Sequence, residues 1–323
     1  MTDIPYLGKR SNFFPDPNVT LVADVIQPFT LARLAADAGV VGVPYDGGDI
    51  SYRLGSRFGP QAVREDLLEY STYNIDLDVD IRNLRIVDCG DVEVMITDYD
   101  ETHRRVEAAV GPLFETGMTL LIVGGDHSLS GPCVKALCGA AGGTRVGVIH
   151  FDAHHDMRSG WGRNAGLWVR EIQEHPRTPV RGQNIVQIGI HGFSYSEYYR
   201  DIVKAMGITV FKPADVRTRG IEAIMAEALE RASTGTDAIY VSVDIDVLDP
   251  PYVPGTPSPA HGGMMPWDVV QAIVLAGRHP LTRALDVMEI APPLDMGRIT
   301  STLGAELLMQ FLSALALRKR AGR

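Results

Sequence analysis

Short apolar runs rich in β-branched residues recur along the chain, and longer stretches with helical spacing lie between them. Runs at 38–44, 84–89, 119–123, 145–151, 184–190, 208–211, 238–243 and 283–289 read as strands. Apolar character at successive positions, without alternation, marks strands buried on both faces. Helices are predicted over 60–69, 101–117, 196–206, 221–232, 266–276 and 300–317, with a further one after Ser128 and Ser130 that runs to about Leu137. Pro60 falls near a helix start, where its missing N–H costs nothing. This alternation predicts an α/β fold, a three-layer αβα arrangement around a mostly parallel central sheet. Residues 1–35, with Pro5, Pro15, Pro17 and Pro28, read as an irregular arm lying on the domain or on a neighbouring subunit. Residues 36–323 read as a single catalytic domain.

Several of these apolar runs end in groups that are costly to bury unpaired. The run at 238–243 leads into Asp244-Ile245-Asp246, and carboxylates two apart on a strand leave the same face. The run at 119–123 leads to His127, and the run at 145–151 to Asp152, His154 and Asp156. The carboxyl edge of an open parallel sheet is where binding sites are built. An Asp-X-Asp pair alone is a common acidic turn. The combined set holds four carboxylates, two imidazoles and no thiolate, which suits Mn2+, with Ni2+ or Co2+ as alternatives, better than structural zinc. Four negative charges exceed what one divalent ion offsets. Two ions balance them and can hold a bridging hydroxide, the arrangement of two-metal hydrolases.

Composition narrows the class further. The chain has 323 residues, 45% hydrophobic and 22% charged, with a net charge of −10 that disfavours a nucleic-acid surface. Cys89, Cys133 and Cys138 lack Cys-X-X-Cys spacing and read as buried thiols in a reducing compartment. The amino-terminal segment shows no basic region followed by an apolar core, and no window was expected to reach the roughly 20 apolar residues of a membrane span. A cytoplasmic enzyme with no membrane partner is expected.

Gly124-Gly125-Asp126-His127-Ser128, Asp152-Ala153-His154-His155-Asp156 and Ser242-Val243-Asp244-Ile245-Asp246-Val247-Leu248-Asp249-Pro250 resemble three signature segments of the ureohydrolase family, which contains arginases, agmatinases, guanidinobutyrases and formiminoglutamases. Gly42–Gly48, Arg53–Pro60 and Glu289–Asp295 extend the resemblance over roughly residues 35 to 315. The resemblance implies that His127, Asp152, Asp156 and Asp244 hold one ion and that His154, Asp152, Asp244 and Asp246 hold the other. It further implies that Asp156 holds the nucleophile by a hydrogen bond and that Asp46, Arg53 and Arg57 support the site. Glu289, at the end of the last strand, would grip a guanidinium through two charge-assisted hydrogen bonds. A homo-oligomer, trimer or hexamer, is expected; an inactive subunit that depends on a homologous partner is the alternative.

Two loops depart from the family pattern. Ala165 stands where many agmatinase-like members carry a proton-relaying histidine; formiminoglutamases also lack it, and the Asp156-Met157-Arg158 continuation looks like that branch. By contrast, Glu289–Asp295 and Asp249-Pro250 look agmatinase-like. Gly255-Thr256-Pro257-Ser258-Pro259-Ala260 puts Pro and Ala in a loop that is ordinarily polar. With Asn164 and Trp168 taken as substrate-binding and Trp161 in the same loop, the expectation is a pocket tighter and less polar than one for arginine. It would take a small guanidino compound without an amino-acid head group (guanidine, a short guanidino acid, an agmatine-like compound or a biguanide) and release urea. Formimino-group hydrolysis is the alternative. His155, His191 and His261 are the candidates for the missing proton donor.

Overall fold

The apolar runs form the middle of a sheet, where nearly every residue is sealed from solvent on both faces. The computed structural model describes residues 16–30, 35–159, 162–175 and 180–322. Nine strands make the sheet: β1 Gln27–Pro28, β2 Ala38–Val43, β3 Ile86–Asp91, β4 Thr119–Gly124, β5 Val146–Phe151, β6 Ile185–Ile188, β7 Thr209–Phe211, β8 Ala238–Asp244 and β9 Thr282–Met288. Their spatial order is β1-β3-β2-β4-β9-β8-β5-β6-β7. Each neighbouring pair is parallel. All residues of β2, β4, β5 and β8 are buried, as the unalternating apolar runs require.

Helices cover both faces. Gly59–Glu69, Ile221–Ser233, Pro266–Arg278 and Ile299–Ala321 pack with one set of strand side chains, among them Val241 and Val243. Tyr99–Glu115, Ser130–Gly139, Trp168–Gln173 and Glu197–Ala205 pack on the other, with Val148 and Tyr240. The αβα expectation therefore holds. Ile299–Ala321 is long and apolar enough to cross a membrane, which the sequence reading had not anticipated; 78% of its apolar window is buried against the core.

Smaller differences have local causes. The helix expected from 101 starts at Tyr99, because the Asp98 side chain caps it by accepting the Glu101 N–H at 2.9 Å. Residues 213–219, left unassigned by pattern, form a helix led by Pro213. Within the arm, residues 1–15 and 31–34 lie outside the described residues, while Gln27–Pro28 adds an edge strand by pairing with Val87 and Asp88.

Four neighbouring strands, β4, β9, β8 and β5, carry every anticipated ligand together with Glu289 at or just beyond their C-terminal ends. The Gly124-Gly125 pair makes this convergence possible. A Cβ on Gly125 would collide with the Tyr45 carbonyl, and that backbone contact lets Gly125 and Asp126 donate N–H groups to Val43 and Tyr45, at 2.9 and 2.8 Å.

Candidate active site

Two imidazoles point their Nδ1 atoms into one carboxylate cluster. His127 Nδ1 lies 3.1 Å from Asp152, 3.4 Å from Asp156 and 3.1 Å from Asp244. His154 Nδ1 lies 3.3 Å from Asp152 and 3.0 Å from Asp246. Asp152 faces the first histidine with Oδ2 and the second with Oδ1, the position of a bridging ligand. Asp244 turns Oδ2 to His127, while its Oδ1 accepts the Asp246 N–H at 2.8 Å. All six predicted ligands thus come together.

The electrostatics call for cations. Burial raises the pKa values of Asp156 and Asp244 well above the carboxylate range, and neighbouring carboxylates add to the shift. Burial opposes charge on His127 as well, yet Asp152 and Asp244 hold its pKa well above the usual value. Asp156 Oδ2 and Asp246 Oδ2 are buried and make no hydrogen bond, although each faces an imidazole Nδ1, at 3.4 and 3.0 Å. Asp156 also adopts a left-handed backbone, φ 50°, strain that persists where surrounding structure enforces it. Unpartnered anionic oxygens with two inward nitrogens fit two divalent ions. Such ions, once bound, supply a water that ionises near neutral pH.

A second layer orients this cluster. His127 Nε2 meets Ser242 Oγ at 2.8 Å; Ser242 Oγ lies 3.2 Å from Ser130 Oγ, which donates to the buried Asp286 at 2.7 Å. Tyr240 also donates to Asp286, at 2.6 Å. His150, which the sequence reading passed over, sits with Nε2 2.8 Å from Asp152 Oδ2. Its Nδ1 accepts from Gln187 at 3.1 Å, and Gln187 in turn accepts from His155 Nδ1 at 2.6 Å. That chain leaves the His150 proton on Nε2, where it holds the Asp152 carboxylate; burial lowers the His150 pKa to about 4 and keeps the ring neutral.

Glu289 follows β9 in a left-handed conformation, φ 62°. Its Oε1 accepts the His127 backbone N–H at 2.8 Å, and its Oε2 is buried and unpartnered. Burial raises its pKa well above the usual range, with Asp49, Asp244 and Asp126 adding to the effect.

The ligands and Glu289 open into a cavity of about 70 Å3, also lined by Asp49, Ile50, Arg158, Ala165, Gly166, Tyr195 and Ser258. Most small-molecule sites are several hundred Å3, so this one encloses only a reacting head group. It is tight, as expected, and its wall carries charged groups. Trp168 is fully buried beneath the ligands, its ring 5.2 Å from His127 and 4.9 Å from His150, and it supports them rather than walling the cavity. Asn164 accepts the Gly166 N–H at 3.1 Å and donates to the Gly162 carbonyl, so it shapes its own loop. Trp161 lies outside the described residues. His155, His191 and His261 are absent from the cavity wall. His155 is engaged by Gln187, and His191 by the carbonyls of Gly189 and Ala260. Asp46 and Arg57 form an ion pair.

This fold and this carboxylate–imidazole cluster define a binuclear-metal hydrolase. The arginase family model matches residues 36–313. A formimidoylglutamase of Halalkalibacterium halodurans is 34% identical over 98% of this chain and 99% of its own length. A guanidinopropionase of Pseudomonas aeruginosa is 35% identical over 87% of each chain. The crystal structure of Bacillus subtilis formimidoylglutamase superposes with a TM-score of 0.89 at 29% identity, covering 97% of each chain. The chain belongs to the arginase family, hydrolases that cleave C–N bonds in linear amidines.

Proposed function

We propose that the protein hydrolyses an N-formimidoyl group from a carboxylate-bearing substrate, releasing formamide. The observation that carries this reading is Arg158. It is the one arginine or lysine lining the cavity among the described residues, and its guanidinium lies 4.8 Å over the Tyr195 ring. One N–H reaches the Ser194 carbonyl at 3.3 Å, which leaves donors for a planar, bidentate carboxylate. Among the expected guanidino compounds, such a contact disfavours those without a carboxylate, while a short guanidino acid would still satisfy it. The near full-length match to formimidoylglutamases and the absence of a loop imidazole at Ala165 favour the formimidoyl reading over urea release.

In this reading Glu289 binds the amidinium, Arg158 holds the distant carboxylate, and Asp156 accepts a hydrogen bond from the attacking water. Mn2+ is the proposed metal, on the oxygen-rich donor set. The test incubates the purified protein and Mn2+ with N-formimidoyl-glutamate, guanidinopropionate, guanidinobutyrate and agmatine, and measures formamide and urea separately. Formamide from the first substrate is expected, with KM rising about tenfold or more in Arg158→Met. Urea from any of the three guanidino compounds as the main product would overturn the reading.

A further inference from the structure

Asp49 is a charged group in the cavity that neither the metal cluster nor the family resemblance uses. It lies in the loop after β2, and its backbone neighbour Gly48 is pinned from two sides. The Gly48 N–H donates to the buried Asp126 at 2.7 Å, and the Gly48 carbonyl accepts the Ala165 N–H at 2.7 Å. Asp126 precedes the ligand His127, so the metal strand itself sets where Asp49 stands. The Asp49 carboxylate accepts the Ser51 N–H at 2.6 Å on one oxygen and the Ser51 hydroxyl at 3.3 Å on the other. A carboxylate has about four lone-pair positions, so acceptor capacity remains towards the cavity it lines.

The substrate head needs that capacity. A planar amidinium presents N–H groups on more than one edge, and Glu289 offers it a single free oxygen, the buried and unpartnered Oε2. A buried N–H left without an acceptor costs its full desolvation energy, more so on a charged group. Aside from the metal ligands, Asp49 and Glu289 are the anions on the cavity wall. The ions and their ligand carboxylates roughly cancel, and these two are left facing the head group.

We propose that Asp49 is a specificity-determining residue that, together with Glu289, holds the amidinium head of the substrate by a second edge. The inference rests on the proposed amidine-hydrolase reading and deepens it by naming a further substrate contact. It also sets a preference: the cavity favours substrates whose reacting end is cationic and disfavours neutral isosteres such as ureas and amides.

The test reads binding as well as turnover. Formamidinium chloride and sodium glutarate are titrated into the Mn2+-loaded protein by calorimetry, and bound metal is counted by elemental analysis. Asp49→Asn is expected to weaken formamidinium binding about ten- to a hundredfold, to leave glutarate binding within about twofold, and to keep the metal content of the wild type. Ser51→Ala removes a partner of Asp49 but not its charge, so formamidinium binding should stay near wild type. Equal formamidinium affinity in wild type and Asp49→Asn overturns the proposal. So does an equal loss in Ser51→Ala, which would make Asp49 a turn-former. A wild type that binds no formamidinium, or that hydrolyses no amidine, would instead overturn the functional reading beneath it.

Discussion

The backbone N–H of His127 donates to Oε1 of Glu289 at 2.8 Å. A predicted metal ligand and the carboxylate proposed to hold the substrate thus share one hydrogen bond, although 162 residues separate them in the chain. Because β4 and β9 are adjacent, the turn that presents His127 is braced by the residue proposed to read the amidinium.

That bond separates two substitutions at Glu289. Glu289→Gln keeps an oxygen for the His127 N–H but removes the charge and sets a donor against the substrate's N–H groups. Metal content should stay at the wild-type level while kcat/KM falls about a hundredfold, roughly 3 kcal/mol. Glu289→Ala also strips the acceptor, so elemental analysis should then show metal loss.

Asp152 and Asp246 are predicted to differ in reach. Asp152 addresses both histidines, one with each oxygen, whereas Asp246 addresses His154 alone. Asp152→Asn should therefore deplete both ions, and Asp246→Asn chiefly one. Metal counts on proteins purified side by side check this, and two ions retained by Asp152→Asn would remove it from the bridging position.

Metal loading should stabilise the protein more as pH rises. Asp156, Asp244, His127 and His154 have raised pKa values in the metal-free fold, so that fold binds protons that the unfolded chain has released. The stability that goes with those protons is lost as pH climbs, while ions bind the deprotonated ligands better. Histidines with lowered pKa values that lie away from the cluster, His103 and His279, act in both forms and cancel. Between pH 6 and 8 the gap in Tm between loaded and metal-free protein should widen by roughly 3 °C, about 2 kcal/mol. A gap that narrows would mean the cluster does not gain protons when the ions leave.

Trp168 carries a packing prediction. Trp168→Ala removes a fully buried ring lying against His127 and His150, and should cost about 3–5 kcal/mol in denaturant unfolding. Metal affinity should weaken with it, because the imidazoles lose the surface that fixes their planes. Trp168→Phe should cost less on both measures.

The αβα layering and the gathering of the six predicted ligands were legible in the chain itself. Strands buried on both faces must be apolar throughout, and carboxylates or imidazoles at their ends have few reasons to be there besides binding a cation. Glu289 was legible on the same ground, as a charge ending an apolar run. Trp168 and Asn164 misled because a loop's composition does not say which way its side chains turn. The ring went under the ligands, where it buries more apolar surface, and the amide capped its own turn. His150 was hidden inside a strand, where an apolar neighbourhood makes a histidine look like core.

The sequence by itself determined which residue types stand at which strand ends, because apolar periodicity and terminal charge are local properties read along the chain. Tertiary structure alone decided that β9 and β8 insert between β4 and β5. It thereby put Glu289 beside His127, gave Asp152 to both histidines, and brought Asp49 and Arg158 to one cavity. Strand order follows from how crossover helices cover both faces of the whole sheet, a balance of burial over distant segments that no local pattern encodes.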